Sequence, residues 1–201
     1  MSSKSKSPVL DLIKTALTLF VIAALVAVLL AFANYVTAPI IARSAQERLN
    51  QSLNSLMTEA VTFESVYDHA VVETAVPVLA VYRGLDKTDA ETGYCVHVAP
   101  TGYSDTIEMI VAIDKEGAVS GVRILSIADT PGIGMKVDSD VNFQNSVLGF
   151  SEIVNIVKGT PTNPNDVQVI SGATVSSTAY LNGVNTAIEI VQFLNSEVVA
   201  K

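Results

Sequence analysis

Between residues 15 and 42 no charged side chain occurs, and residues 16–33 are almost wholly apolar. A run of that length is sufficient to cross the hydrocarbon core of a bilayer as a helix. Lys4, Lys6 and Lys14 precede it against a lone Asp11. That cationic bias predicts residues 1–14 on the cytoplasmic side and everything after the segment outside, a single pass through the cell membrane. Ala31-Phe32-Ala33 has the small-x-small form accepted by signal peptidases, so a cleaved leader competes with a permanent anchor. The uncharged run continues through Tyr35, Val36, Ile40 and Ile41, which favours an anchor over residues 15–42, with Pro39 expected to mark its exit from the bilayer.

Beyond the anchor the period changes twice. Leu49, Leu53 and Leu56 fall at helical spacing among polar residues, which predicts an amphipathic juxtamembrane helix that continues the anchor or follows it, within a helical region over residues 43–74. From residue 75 short β-branched runs take over. Residues 76–82 and 94–98 flank a polar turn at 86–91, which reads as one hairpin. Ile107, Met109, Val111 and Ile113 alternate along a strand, residues 115–117 turn, and 119–127 return as a second hairpin. Residues 143–150 carry no decisive period. Residues 159–166, with two prolines, read as a surface loop. Leu181, Val184, Ile188, Val191, Leu194 and Val198 line one face of a terminal helix expected to begin soon after Ser177. The predicted class is α+β: one membrane helix, then an extracytoplasmic domain over residues 75–201 made of β-hairpins packed with helices.

Charge narrows the partners. The chain has 12 basic and 20 acidic residues, a net charge of −8. Setting aside the three N-terminal lysines and Asp11 leaves the outer part with about ten more acidic than basic residues. Such a domain repels nucleic acid, whose binding depends on Lys and Arg displacing counterions, so no nucleic-acid partner is expected. Cys95 is the only cysteine, and His69 and His97 are the only histidines. Neither a disulfide framework, an iron–sulfur cysteine pattern nor a Cys/His metal cage can be built from these. Cys95 and His97 in a strand and Tyr103 at a turn read as structural, and no catalytic residue is assigned.

Two short stretches remain. Ser171-Gly172-Ala173-Thr174 lies between the apolar run 167–170 and the terminal helix, followed by Ser176, Ser177 and Thr178. Small residues and hydroxyls at a strand-to-helix junction suit a phosphate, because backbone can approach closely and the first N–H groups of the helix point outward. The same residues also suit a plain helix start with Ser176 or Ser177 as N-cap. Asp129-Thr130-Pro131-Gly132-Ile133-Gly134-Met135-Lys136 closes the second hairpin. Pro131-Gly132 reads as a tight turn, and Gly134 offers a second place where backbone can lie against a flat ligand.

Taken together and in this order behind one membrane helix, these stretches resemble the FMN-binding domain family, in the form found in the G subunits of Rnf-type electron-transport complexes. SGAT followed by Val175-Ser176-Ser177 resembles the family's flavinylation motif. Thr130 to Gly134 resembles its TPGLG loop, and Gly102-Tyr103-Ser104 another recurrent feature. The resemblance implies FMN esterified through its phosphate to Thr174, delivered from FAD by a flavin transferase. It further implies Ser171, Gly172, Ala173 and Ser177 around the phosphate, and Thr130, Pro131, Gly132, Ile133 and Gly134 against the flavin ring. The implied partners are the other subunits of a membrane complex that passes electrons between ferredoxin and NAD while moving Na⁺ or H⁺. One departure is local: the family motif has an acidic residue six positions before the acceptor threonine, and this chain has Gln168 there, with Asp166 two residues earlier. Two rivals are the C subunit of the Na⁺-translocating NADH:quinone oxidoreductase, which is usually longer between anchor and flavin motif, and an anchored interaction module without a cofactor.

Overall fold

The computed structural model describes residues 8–66, 74–130, 132 and 134–199, which fall into two compact units, Met1–Glu47 and Arg48–Lys201. His69 and residues 67–73 of the expected juxtamembrane region lie outside the described residues, as do Pro131 and Ile133.

The first helix, α1 (Pro8–Leu56), is apolar around its whole circumference over residues 16–33. Leu17, Phe20, Leu25, Leu29, Leu30 and Phe32 are each exposed by more than half. A helix of this length and composition is sufficient to cross a bilayer. Pro39 lies inside α1 and does not end it, so the juxtamembrane helix is a continuation of the anchor helix. The helix gives up one backbone hydrogen bond at the proline, since that residue has no N–H.

The second unit is built on a five-stranded antiparallel sheet in the order β1-β2-β3-β4-β5, comprising β1 (Thr62–Ser65), β2 (Val78–Leu85), β3 (Glu91–Val98), β4 (Ile107–Asp114) and β5 (Val119–Ile127). The two expected hairpins are thus halves of one meander, joined by β3–β4 pairing with Val96 opposite Val111. β1 falls within the region expected to be helical; it is a strand because Thr62 to Ser65 pair with Leu85 to Tyr82 of the sheet edge.

Alternation along β4 sorts the core. Ile107, Met109, Val111 and Ile113 face the final helix, α4 (Thr174–Val199), whose Tyr180, Leu181, Val184, Ile188 and Val191 complete one cluster. Ile110, Ala112 and Cys95 face the other way, against Leu49, Leu53 and Met57. With both faces covered, β4 reads as a nearly unbroken apolar run, and burying each such side chain contributes roughly 1.5–3 kcal/mol.

Between sheet and α4 lie two short helices, α2 (Lys136–Ser139) and α3 (Val141–Asn145), and a parallel pair, β6 (Asn155–Val157) with β7 (Asp166–Gln168). The undecided stretch 143–150 is therefore the end of α3 and a turn. Asp140 caps α3 by accepting the Phe143 N–H at 3.1 Å, and the Phe143 ring packs 5.3 Å from that of Tyr180. The 159–166 segment is the expected surface loop, folded by Asp166, which accepts the N–H groups of Thr162 and Asn163, each at 2.9 Å.

Because the sheet is covered on both sides, Ile110→Ala is expected to destabilise the chain about as much as Met109→Ala, each by about 2–5 kcal/mol. Chemical unfolding of the detergent-solubilised chain, followed by circular dichroism, measures both. A loss under about 0.5 kcal/mol for Ile110→Ala alone would mean that its face is open to water.

Candidate cofactor site

The site is organised around Asp129, which follows the last strand of the sheet and is 3% exposed. Its carboxylate accepts the N–H of Tyr103 at 3.1 Å, the N–H and hydroxyl of Ser104 at 3.2 and 2.9 Å, and the N–H of Thr130 at 2.8 Å. Its fifth donor is the Ser176 hydroxyl in the first turn of α4. Burial raises the pKa of this carboxyl, but the Ser176 bond, followed by those of Thr130, Tyr103 and Ser104, outweighs burial and holds it down to about 2. Gly134 explains how the loop fits: a Cβ there would lie 2.1 Å from the carboxyl carbon of Asp129. The close approach that Gly134 permits is therefore to this carboxylate.

Ser176 leads to the SGAT turn. Gly172 has φ +79°, a conformation that side chains other than glycine's rarely adopt, and its Cα faces open space apart from Lys136. The Ala173 N–H bonds to Ile170 O at 2.9 Å, and the Ser177 N–H to Ala173 O at 2.8 Å, so α4 begins at Thr174. That is ahead of the expected onset, which lies after Ser177. Ser176 and Ser177 are not N-caps: both are buried inside the first turn, with Ser176 bonded to Asp129 and the Ser177 Oγ accepting the Ile170 N–H at 3.1 Å. Ser177 braces the turn from behind and does not face outward as expected of a phosphate contact.

Thr174 is half-buried, and its hydroxyl has no hydrogen-bond partner among the described residues. The N–H groups of Thr174, Val175 and Ser176 likewise meet no acceptor there. Ser171 and Gly172 are exposed and Ala173 is buried. The Lys136 ammonium donates to Ser171 O at 3.3 Å, and a Cβ on Gly172 would lie 3.4 Å from it. One cavity borders the turn and a second lies beside Ile170, just before it. The first, of about 540 Å³, is lined by Phe143, Ser146, Pro161, Gln168, Ile170 and Ser171; the other, about 430 Å³, lies between Lys136, Asp140, Val141, Asn142 and Ile170.

Of the expected loop residues, Thr130 is half-buried and binds Asp129, while Gly132 is exposed with φ +75°. Asp166 does not replace the acidic residue missing at Gln168. Its oxygens are occupied by Thr162, Asn163 and Asn155, and the two backbone bonds lead in holding its pKa down to about 2. Gln168 itself is exposed. Cys95 is fully buried, its thiol pushed up to about 12 by burial, so it packs as an inert group. His97 is buried against Glu108 at 2.8 Å, and desolvation lowers its pKa against the pull of that partner. In the sequence Asp129 and Lys136 stand out only as flanks of a loop. Their roles lie in contacts 47 and 35 residues away along the chain.

The FMN-binding domain family matches residues 102–189, and the RnfG N-terminal region matches residues 9–56. The chain is 33% identical over 193 residues to the G subunit of the Na(+)-translocating ferredoxin:NAD(+) oxidoreductase complex of Acetobacterium woodii, covering 90% of this chain and 92% of that one. It is 26% identical to the G subunit of the ion-translocating oxidoreductase complex of Methanosarcina acetivorans, covering 90% and 95% of the two chains. With the protein of the same name from Vibrio parahaemolyticus it shares 27% identity over 94% and 93%. Among solved structures, Shewanella oneidensis NqrC aligns with a TM-score of 0.43 at 17% identity, over 65% of this chain and 66% of that one.

The depressed carboxyls make acid stability a readout of the site. Each contributes stability that is complete above about pH 4 and is lost as pH falls toward 2, because the unfolded chain then binds protons that the folded chain refuses. In Asp129→Asn this pH slope is expected to shrink by about one proton, and the chain to be less stable at neutral pH. Denaturant titrations between pH 2 and 7 measure it; an unchanged slope would mean that Asp129 is not held ionised.

Proposed function

This chain belongs to the family of G subunits of Rnf-type ion-translocating oxidoreductases, and on that premise we propose that it is the membrane-anchored electron-carrying subunit of a ferredoxin:NAD oxidoreductase complex, with FMN joined through its phosphate to Thr174. The observation that carries the attachment is the Thr174 hydroxyl, partly exposed and without a partner among the described residues, at the start of a 26-residue helix. A phosphate fits these surroundings. Three N–H groups of the first turn lack acceptors, Gly172 leaves open space, and Lys136 supplies a positive charge.

When bound, FMN supplies a centre that takes up and gives back electrons. Attachment forms a bond between the Thr174 Oγ1 and the FMN phosphorus of FAD, breaks the pyrophosphate and releases AMP, with the hydroxyl proton going to a base of the flavin transferase. Ser171, Gly172 and Ala173 shape the turn around the phosphate, with Ser177 behind it, and the family resemblance assigns the loop that begins at Thr130 to the ring, with Gly134 packed on Asp129. The N-terminal lysines support a cytoplasmic N-terminus and an outer flavin domain. On that side a noncovalent flavin would be lost by dissociation, whereas an ester keeps one flavin per chain. The other subunits of the complex supply donor and acceptor.

Intact-mass measurement of the chain purified from membranes of cells containing a flavin transferase, with peptide mapping, is expected to find an adduct of FMN size on the peptide holding Thr174. Thr174→Ala is expected to lack it. An unmodified, colourless native chain would instead favour the anchored interaction module.

A further inference from the structure

The outer domain is acidic, and two of its cations are ion-paired: Arg83 with Glu64 at 2.7 Å and Lys115 with Glu116 at 3.8 Å. Lys136, like Lys87, Arg123 and Lys158, forms no ion pair among the described residues, but of these four it alone donates a hydrogen bond to the protein. Among the described residues no carboxylate lies within ion-pair distance of it, although Asp138 and Asp140 stand two and four positions away. Asp140 is committed to capping α3. The Lys136 ammonium is instead held over the SGAT turn, 3.3 Å from the neutral carbonyl of Ser171 and 3.4 Å from where a Gly172 side chain would begin. An ammonium held by a neutral carbonyl, next to helix N–H groups and a hydroxyl that meet no partner among the described residues, makes a place that favours an anion.

The placement is built in. Gly134 packs on the Asp129 carboxyl two residues before Lys136, and Ser176 bonds the same carboxyl two residues after Thr174. Lys136 and Thr174 are thus registered to one buried anchor from opposite sides. The flexible four-carbon stem of lysine brings its ammonium to the Ser171–Gly172 part of the turn that carries Thr174.

We propose that Lys136 is the counter-ion of the phosphate on Thr174, binding the anionic flavin phosphate during attachment and the phosphodiester afterwards. This rests on the Thr174 reading above. A phosphodiester carries one negative charge, which the partial charge of a helix N-terminus only partly offsets. In a domain whose net charge repels anions, the side chain of Lys136 is the local attraction that brings a flavin pyrophosphate to the hydroxyl.

The full chain, produced without flavin transferase and solubilised in detergent, is incubated with purified transferase and FAD, and the adduct is followed by intact mass. Lys136→Met keeps the stem and removes the charge; its initial rate is expected to fall about tenfold, the worth of one charge-assisted hydrogen bond. It should also lose much of the wild-type rate's decline with added salt. Lys136→Arg keeps the charge and should restore most of the rate, which a merely structural role for the stem would not require. In chains that carry the adduct, the ³¹P resonance of the phosphodiester should move between wild type and Lys136→Met. Equal rates, equal salt dependence and an unmoved ³¹P signal in Lys136→Met would overturn the proposal. A wild-type chain that is folded yet takes up no flavin would overturn the Thr174 reading and this one with it. Wild-type uptake with an indifferent Lys136→Met would overturn this one alone.

Discussion

Five hydrogen bonds converge on the Asp129 carboxylate, and they come from three stretches that are far apart along the chain: the turn at Tyr103 and Ser104, the loop beginning at Thr130, and Ser176 in α4. A carboxylate that is 3% exposed would be costly if left unpaired, so its position is set jointly by all its donors. This explains why Gly134 cannot carry a side chain and why Ser176 is not free to cap its helix. The motifs that look like separate ligand loops are parts of one polar junction.

That junction needs a rigid frame, which the sheet supplies. α4 lies on β3 and β4 through Tyr180, Leu181, Val184 and Ile188, all essentially excluded from water, so its first turn cannot slide relative to the end of β5. Smaller ties pin the intervening chain to the same helix. Asn185 bonds both the N–H and the carbonyl of Val154 at 2.8 and 3.0 Å, and the Tyr180 hydroxyl donates to Gln144 O at 3.2 Å. The apolar packing fixes the helix axis, and the carboxylate fixes the direction in which its N-terminus presents Thr174.

What can be read from the sequence follows the range of the forces involved. The anchor, β4, β5 and the body of α4 are written in sustained hydrophobic patterns, and β2 and β3 in shorter β-branched runs flanking a polar turn, and these are legible. β1, β6 and β7 have three or four residues each, too few to establish a period, and exist because a neighbouring strand offers them hydrogen bonds. The onset of α4 is misread because Ser176 and Ser177 look like local caps but spend their hydroxyls on tertiary partners. Asp166 and Gln168 make the same point: the nearby acid that looks like a stand-in for the missing one is fully engaged in folding its own loop. Asp129 can be suspected from an acidic residue ending an apolar strand, but nothing local identifies Ser176 as its partner.

The openness of the site suits the covalent tether proposed above. Ser171 and Gly172 are exposed and Val175 is 51% exposed, so the surface around Thr174 does not enclose a ligand as a tight noncovalent pocket would. An enclosing pocket would retain a flavin by burying most of its surface, but would also separate it from the neighbouring subunits that must exchange electrons with it. The ester proposed above would remove the need for enclosure: retention would no longer depend on buried area, and the protein around the flavin would be free to serve orientation and charge. The demands on the noncovalent part of the site are then modest and specific, namely a turn that presents one hydroxyl and donors for one phosphate, and the Asp129 junction is the means by which a small domain keeps those elements in register.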